Sequence, residues 1–251
     1  MVLFMAIFHP MSRIRKIYFL RLAARCVIFI LSILFYLFRP QELDILKGFA
    51  FFERFSILHL LWAVWMIDML FQLVPIGKNI SIGSLKHFRQ SFQPIRDAVN
   101  PQRLREYIVS TTRAAYLVMI VWVLLTAAIG VIRHLGVIDD GMLFVISVFF
   151  YVCDLICVLI WCPFRLMMRN RCCTTCRIFN WDHLMMFSPF LFCWSFYTTS
   201  LLLVSVAVVI VWEVCVFVHP ERFWEYSNAA LQCANCTDKL CTQYCQRLRK
   251  K

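Results

Sequence analysis

Long apolar runs, separated by short polar segments, are the dominant pattern along the chain. An α-helix of about 17–25 apolar residues crosses the roughly 30 Å hydrocarbon core of a bilayer. In lipid, each crossing segment must satisfy its own backbone hydrogen bonds, which favours helices. We therefore predict an all-α membrane protein with about five transmembrane helices, at residues 17–38, 57–74, 114–132, 142–162 and 201–218.

The last apolar stretch, Leu184–Val218, is too long for one crossing and too short for two. As one helix its 35 residues would extend about 52 Å, whereas two full crossings need about 40 residues. A Ser188-Pro189 break divides the stretch. We predict an interfacial or re-entrant segment at 184–196 before the span at 201–218. The alternative is a membrane hairpin, in which 184–196 forms the first half and the tail returns to the side where the hairpin began.

The composition excludes an ordinary soluble domain and is strongly basic. Hydrophobic residues make up 62% of the chain and charged residues 16%, whereas soluble domains carry about 25% charged residues. The net charge of +12 lies mainly in the polar segments between the apolar runs. There we expect it to set membrane orientation and to contact anionic lipid, at the basic loops 75–113 and 163–183, rather than to bind nucleic acid.

Positive charge alternates from one polar segment to the next. The N-terminal segment and the loops 75–113 and 163–183 are rich in Lys and Arg, whereas residues 39–56 and 133–141 are balanced or acidic. The positive-inside rule then places the N-terminus in the cytoplasm, and we expect the plasma membrane. A single fifth span would put the tail, residues 219–251, outside, although the tail ends in basic residues. The sequence leaves this conflict open.

One polar loop carries an amphipathic pattern. Lys, Arg and Gln residues fall between apolar residues that recur at helical spacing, namely Leu85, Phe88, Phe92 and Ile95. This arrangement is typical of a basic amphipathic segment that lies in the membrane interface, here interrupted at Pro94. A helix that docks on a soluble partner is the alternative.

The 13 cysteines are of two kinds. Those within apolar runs are interpreted as small buried hydrophobic residues. The others form a C-x2-C after the fourth span and a C-x2-C-x4-C-x3-C in the tail, which sets the tail, 219–251, apart from the transmembrane domain, 1–218. Because a C-x2-C turn directs two thiolates to one point, we predict a metal site. Its candidate ligands are Cys173, Cys176, Cys233, Cys236, Cys241 and Cys245.

Zn²⁺ in a structural site is the leading interpretation of these cysteines, and an iron–sulfur cluster is less favoured. The spacing in the tail matches neither the bacterial ferredoxin pattern nor the zinc knuckle. Disulfides become the natural alternative if the tail lies in an oxidising compartment. A site that joins both cysteine clusters requires them on one side of the membrane, and therefore requires the hairpin.

Charged side chains also fall inside the predicted spans, namely Arg25, Asp68, Asp154 and Glu213. Such a charge costs about 3 kcal/mol on insertion scales, so these residues usually face protein or water and often mark ion pathways. Asp68 shares a helical face with Trp65 and Gln72, which predicts a polar stripe turned into the bundle. The functional hypothesis is a proton or ion path that uses Asp68 and Asp154. The structural alternative is an ion pair, for example Arg21 or Arg25 with Asp154, or a protonated acid.

The sequence contains none of the common catalytic motifs. It has no nucleotide-binding G-x-G-x-x-G or G-x4-G-K-[ST] and no hydrolase G-x-S-x-G, so an enzyme is not expected. The leading hypothesis is a multi-pass membrane protein with a structural cysteine zinc site. The alternatives are a membrane thiol-redox or electron-transfer protein, and a small proton- or ion-coupled transporter or channel that uses the intramembrane acids.

Overall fold

The computed structural model describes residues 13–74, 86–95, 100–168, 176–236 and 240. Regular structure in these ranges is helical, with isolated backbone bridges and no strands. The α-helices of the described ranges are α1 Arg13–Phe38, α2 Leu58–Leu73, α3 Pro101–His134, α4 Asp140–Leu159, α5 Pro163–Met167, α6 Asp182–Phe187 and α7 Phe196–Val218. Short 3₁₀ turns lie at Pro40–Leu46, Ala50–Phe52, Arg89–Ser91, Ser188–Phe192, Pro220–Phe223, Ala229–Leu231 and Cys233–Asn235.

Four of the described helices, α1, α3, α4 and α7, are long and apolar enough to cross a membrane, and α2 is apolar but shorter. Large apolar side chains on these helices face outward: Leu124 is 65% exposed and Phe217 is 88% exposed. Contact with water would penalise such a surface, whereas contact with lipid does not. These features indicate an integral membrane protein, as the hydrophobic pattern predicts.

Local sequence sets the helix starts, and two of them differ from the predicted spans. α3 begins at Pro101 rather than near 114, because the Asn100 side chain caps it and proline suits the first turn. α7 begins at Phe196 because Ser195 opens a capping box there. The last part of the predicted loop 75–113 is therefore a helical extension of the third span.

α1 and α4 run antiparallel in close contact. Arg25 lies beside Asp154 in one half of the pair, and Tyr36 packs against Gly141 in the other half. Glycine permits the second approach, because a Cβ on Gly141 would come within 2.8 Å of the Tyr36 ring. The charged contact and the close contact together fix how these two helices are aligned.

α2 and α7 run parallel to each other. Two tryptophan side chains join them by hydrogen bonds. Trp62 Nε1 donates to Ser200 Oγ at 2.9 Å near the helix starts, and Trp212 Nε1 donates to Gln72 O at 3.1 Å near the end of α2. An indole N–H needs an acceptor when its ring is buried in an apolar setting. These bonds hold the two helices in register.

Residues 182–195 form a broken passage along α3, which we name the returning segment. It consists of α6, the 3₁₀ turn Ser188–Phe192 and extended backbone at Cys193 and Ser195. Three contacts mark its course along α3, namely Trp181 with Val118 at its start, Ser188 with Trp122 in its middle and Phe192 with Gly130 near its end. The segment therefore follows α3 for about three helical turns.

The returning segment ends on the loop between α1 and α2. Gly48 N donates to Trp194 O at 3.3 Å, and Phe196 N donates to Gly48 O at 2.9 Å. Gly48 has a φ of 49°, which glycine adopts without strain. Phe187 in the middle of the segment is fully buried. The middle of this stretch therefore packs inside the bundle, whereas Leu191 and Trp194 are 62% and 73% exposed. The interfacial or re-entrant placement of residues 184–196 stays a prediction.

These contacts show at which of the two ends of the bundle each connection between helices lies. The basic end comprises residues 86–95, 100–113, 160–168, 176–181 and 219–236, and the opposite end comprises residues 39–57, 135–139 and 193–195. α1, α3 and the returning segment run from the basic end to the opposite end. α2, α4 and α7 run back to the basic end.

The tail packs on the basic end. Ile95 N donates to Ser227 O at 3.2 Å, and Ala229 N donates to Gln93 O at 2.9 Å. Within 86–95 the backbone makes one 3₁₀ turn, Arg89–Ser91, so this part of the amphipathic pattern is not a continuous helix. Its backbone pairs with the tail instead, and Leu85, the first apolar position of that pattern, lies outside the described residues.

His87 is at the centre of this docking contact. Its ring is buried and stacks between Phe179 and Phe223, with centroid distances of 4.7 and 4.6 Å. Burial, helped by the positive charges of Lys86 and Arg177, lowers the pKa of His87 to about 3. A ring that is neutral at neutral pH therefore joins three parts of the basic end in one apolar stack.

Candidate functional site

Charged side chains from four segments meet in the half of the bundle nearer the basic end. We name them the charged cluster: Arg25 of α1, Asp68 of α2, Asp154 of α4, and Asp182 and His183 of α6. A charge surrounded by hydrocarbon needs a partner inside the protein or access to water. The partners within this cluster are described in turn below.

Arg25 and Asp154 form the ion pair that the sequence analysis kept as the structural alternative. Arg25 Nη1 lies 2.7 Å from Asp154 Oδ2 and donates to Tyr151 O at 2.7 Å. The guanidinium also covers the Tyr151 ring, 3.7 Å from its centroid. Charge-assisted hydrogen bonds and a cation–π contact replace the water that the guanidinium loses. The pair ties α1 to α4.

His183 lies between two carboxylates. Its Nε2 is 3.4 Å from Asp68 Oδ2, and its Nδ1 is 3.1 Å from Asp182 Oδ1. An imidazolium donates from both ring nitrogens, whereas a neutral imidazole donates from only one, so this position suits the protonated ring. Asp68 and Asp182 thereby share one cation. The arrangement ties α2 to the returning segment.

Gln72 extends the charged cluster toward the basic end. Its Nε2 donates to both carboxylate oxygens of Asp182, at 3.1 and 3.0 Å. The side chain is 4% exposed, and its Oε1 has no hydrogen-bond partner among the described residues. A buried acceptor without a donor costs about 1–3 kcal/mol. The predicted polar stripe of Trp65, Asp68 and Gln72 does face the bundle interior.

The carboxylates of the cluster line a cavity of about 430 Å³. The side chains of Asp68, Asp154 and Asp182 are 29%, 28% and 26% exposed, whereas Arg25 is 12% and His183 is 6% exposed. The carboxylates are thus more exposed than Arg25 and His183, although Arg21 and Arg25 also line the cavity. The rest of the wall is mainly aromatic, aliphatic and cysteine side chains, including Trp122, Phe150, Cys153, Cys157 and Trp161.

Aromatic side chains fill the core of the bundle on the side of the charged cluster that faces the opposite end. We name them the aromatic barrier: Trp65, Phe144, Tyr151, Phe187, Phe190 and Tyr197. Trp65, Tyr151 and Phe187 each lie about one helical turn from a charged residue of the same segment, toward the opposite end. The Trp65 ring lies 5.1 Å from that of Phe187 and 5.7 Å from that of Tyr151. The cavity wall extends instead to the basic end, at Pro163 and Cys176.

Glu213, another acid in a predicted span, lies outside the charged cluster. Its carboxylate accepts two hydrogen bonds from the Arg177 guanidinium, at 2.8 and 2.6 Å, and one from Trp181 Nε1 at 2.8 Å. A bidentate arginine–carboxylate pair is strong and geometrically specific. This pair holds the chain just before the returning segment against α7, and we assign it a structural role.

The structure describes three of the six predicted metal ligands. Cys176 is buried and lines the cavity, and Cys236 Sγ in the tail lies 3.9 Å from Lys86 Nζ. Cys233 begins the 3₁₀ turn Cys233–Asn235 of the tail, and the remaining candidates, Cys173, Cys241 and Cys245, lie outside the described residues. Within the described ranges no group of three or more His, Cys, Asp or Glu side chains is arranged to hold a metal ion. The metal site therefore stays a prediction.

The chain matches no protein-family model, no curated protein and no solved structure. The proposed function therefore rests on the chemistry of the charged cluster and its cavity. Arg25, Asp68 and Asp154 are visible in the sequence because a charge interrupts an apolar run. Asp182 and His183 are not, because they lie at the end of the basic loop 163–183, where charged residues are ordinary.

We predict that the Arg25–Asp154 pair is required for stability as a pair. Arg25→Met leaves Asp154 buried without its cation and should destabilise the protein by about 3–5 kcal/mol, whereas the double variant Arg25→Met/Asp154→Leu should recover most of that loss. Unfolding in detergent micelles, followed by tryptophan fluorescence, measures both. Asp44→Asn is the matched control, because Asp44 pairs with Lys47 at the same 2.7 Å but on an exposed surface. A single variant as stable as the wild type would contradict the prediction.

Proposed function

We propose that this chain is a proton-coupled membrane transporter whose solute passes through the cavity of the charged cluster. One observation carries the proposal: carboxylates from three separate segments line one cavity together with Arg21 and Arg25, and the carboxylates are more exposed than the cations they pair with. Acids inside a membrane bundle that border a cavity typically mark proton or substrate pathways. A purely structural ion pair gains nothing from facing such a space.

His183 is the group in this cluster that can exchange a proton. Arg25 keeps its proton under all ordinary conditions, so its guanidinium stays positively charged beside Asp154 and does not exchange a proton. An imidazole, in contrast, releases and takes up a proton near neutral pH when its surroundings change. His183 lies within 3.4 Å of one carboxylate and 3.1 Å of the other. Movement of either carboxylate would therefore change the proton affinity of the ring.

The same geometry argues against catalysis by His183. Its side chain is 6% exposed, and a carboxylate lies beside each ring nitrogen. A general base must reach its substrate within hydrogen-bond distance. Because the carboxylates lie between the ring and the cavity, a molecule in the cavity would meet Asp68 and Asp182 first.

We further propose that the chain crosses the membrane six times, with both termini in the cytoplasm. Six crossings do not require six long helices, because the returning segment serves as the fifth crossing between α4 and α7. An α-helix of its length would extend only about 21 Å. Its 3₁₀ turn and extended residues lengthen it to roughly 30 Å, which matches the hydrocarbon core.

The distribution of charge supports this orientation. With six crossings, the basic loops 75–113 and 163–183 and the basic tail 219–251 all lie on one side. The positive-inside rule assigns that side to the cytoplasm. The conflict that a single fifth span creates for the tail is then absent. The basic loops would face the anionic lipids of the cytoplasmic leaflet, and the plasma membrane is the proposed location.

Thiol labelling in intact cells tests the six-crossing proposal. We expect an impermeant maleimide to label Val137→Cys, which is 72% exposed at the opposite end, and to label Cys236 only after the cells are opened. Mass spectrometry of the modified peptides separates these sites from the other cysteines. Five crossings would place both positions on the same side, so labelling of both in intact cells would contradict the proposal.

Proton flux in proteoliposomes tests the transport proposal. A membrane potential is imposed on vesicles that contain a pH-sensitive dye and either buffer or a low-molecular-weight cell extract. We expect flux above that of protein-free vesicles in at least one loading, and its loss in Asp68→Asn and Asp154→Asn. Asp140→Asn is the matched control, since its pair with Arg133 at 2.6 Å lies outside the cavity. Flux that survives in both cluster variants, or is absent in both loadings, would contradict the proposal.

A structural zinc site at the basic end is the second candidate property. It is favoured by the position of the two cysteine clusters: residues 176–179 pack, through Phe179, against His87 and Phe223, at the end that also carries Cys233 and Cys236. A site that joins both clusters needs this arrangement. We expect purified protein to contain stoichiometric zinc by elemental analysis and to lose it in Cys233→Ser/Cys236→Ser. An iron-containing, coloured sample would favour a cluster, and metal-free protein would remove the site.

A further inference from the structure

We infer that the cavity binds a protonated amine that carries an aromatic or aliphatic body, and that this is the class of solute transported. That this solute is transported rests on the proposed function. That the cavity binds it rests on the shape and lining of the cavity alone. A volume of about 430 Å³ falls in the usual range of roughly 300–1,000 Å³ for small-molecule sites. Such a site holds a small organic molecule rather than a bare ion.

The charge that faces the cavity selects a cation. The carboxylates of Asp68, Asp154 and Asp182 are each more than a quarter exposed, whereas their partners Arg25 and His183 are nearly covered. Arg21 and Arg25 also line the cavity, so its wall carries three negative and two positive charges, and the carboxylates are more exposed than Arg25. In a space of low dielectric this net negative charge favours a positive ligand.

The acceptor on Gln72 selects a cation with N–H groups. Its Oε1 is buried and lacks a donor among the described residues, although its Nε2 is fully engaged with Asp182. Because Gln72 lines the cavity, an amide that turns toward that space would let an ammonium group beside Asp182 donate to this oxygen as well as to the carboxylates. A quaternary ammonium ion has no N–H and leaves the acceptor without a donor.

The rest of the wall fits an apolar body. Trp122, Phe149, Phe150, Trp161 and Phe164 lie along the same cavity as the carboxylates. Aromatic faces attract cations as well as apolar groups. The carboxylates lie at the inner part of the cavity beside the aromatic barrier, so the ammonium group would enter first and the apolar body would lie toward the basic end.

Competition binding with 4-phenylbutylamine tests this inference. Radiolabelled amine is bound to the full-length protein in nanodiscs of zwitterionic lipid, with empty nanodiscs subtracted. Three unlabelled molecules of similar shape compete: the amine itself, neutral 4-phenyl-1-butanol and anionic 5-phenylpentanoate. We expect the amine to compete at a concentration at least about tenfold lower than the other two, and to bind more weakly at acidic pH, where the carboxylates are protonated. Equal competition by the alcohol, or a preference for the anion, would overturn the inference.

Two variants locate the binding. Asp154→Asn should reduce the preference for the amine over the alcohol, and Gln72→Leu should reduce the preference for the amine over its N-trimethyl analogue. If either variant fails to fold, the competition series on the wild type still decides the inference. Amine binding without proton flux would refute the proposed transport and leave the site, whereas proton flux without amine preference would refute this inference alone.

Discussion

The cost of charge inside hydrocarbon decides how this chain packs. Arg25 meets Asp154 and the carbonyl and ring of Tyr151, and His183 meets two carboxylates. Because the partners come from α1, α2, α4 and the returning segment, pairing them brings four segments to one level of the bundle. Apolar contacts elsewhere are exchangeable with lipid contacts and specify alignment less strongly. The charged cluster therefore aligns the bundle as well as forming the candidate site.

The membrane-spanning helices could be predicted from sequence, because a long apolar run has few stable structures in lipid. The returning segment could not. Its chain is too short to cross as an α-helix, and it gains length from 3₁₀ and extended backbone. The backbone groups freed in this way bond to Gly48, more than a hundred residues earlier in the chain. No local pattern carries a contact of that kind, so the sequence predicts only an interfacial or re-entrant segment at 184–196.

The candidate site was predictable in its parts but not as an assembly. Asp68, Asp154 and Arg25 each interrupt an apolar run, and helical spacing correctly turned Asp68 and Gln72 toward the interior. Pairing is different, since Arg25 and Asp154 lie 129 residues apart and the sequence offers both Arg21 and Arg25 as partners. His183 follows a basic loop and carries no hydrophobic context that marks it as buried. For the cysteine motifs the opposite holds. Their spacing is clear in the sequence, but half of the candidate ligands lie outside the described residues, so the structure does not show how they assemble.

The returning segment connects His183 to two rings of the aromatic barrier. Phe187 and Phe190 of the aromatic barrier both belong to this segment, and so does His183, to which we assign the exchangeable proton. The helix breaks between them at Ser188-Pro189, where proline removes one backbone donor and the Ser188 hydroxyl contacts Trp122 and Thr126 instead. A broken helix resists bending less than a continuous one. A change in the bonds of His183 would therefore act directly on these two rings of the aromatic barrier.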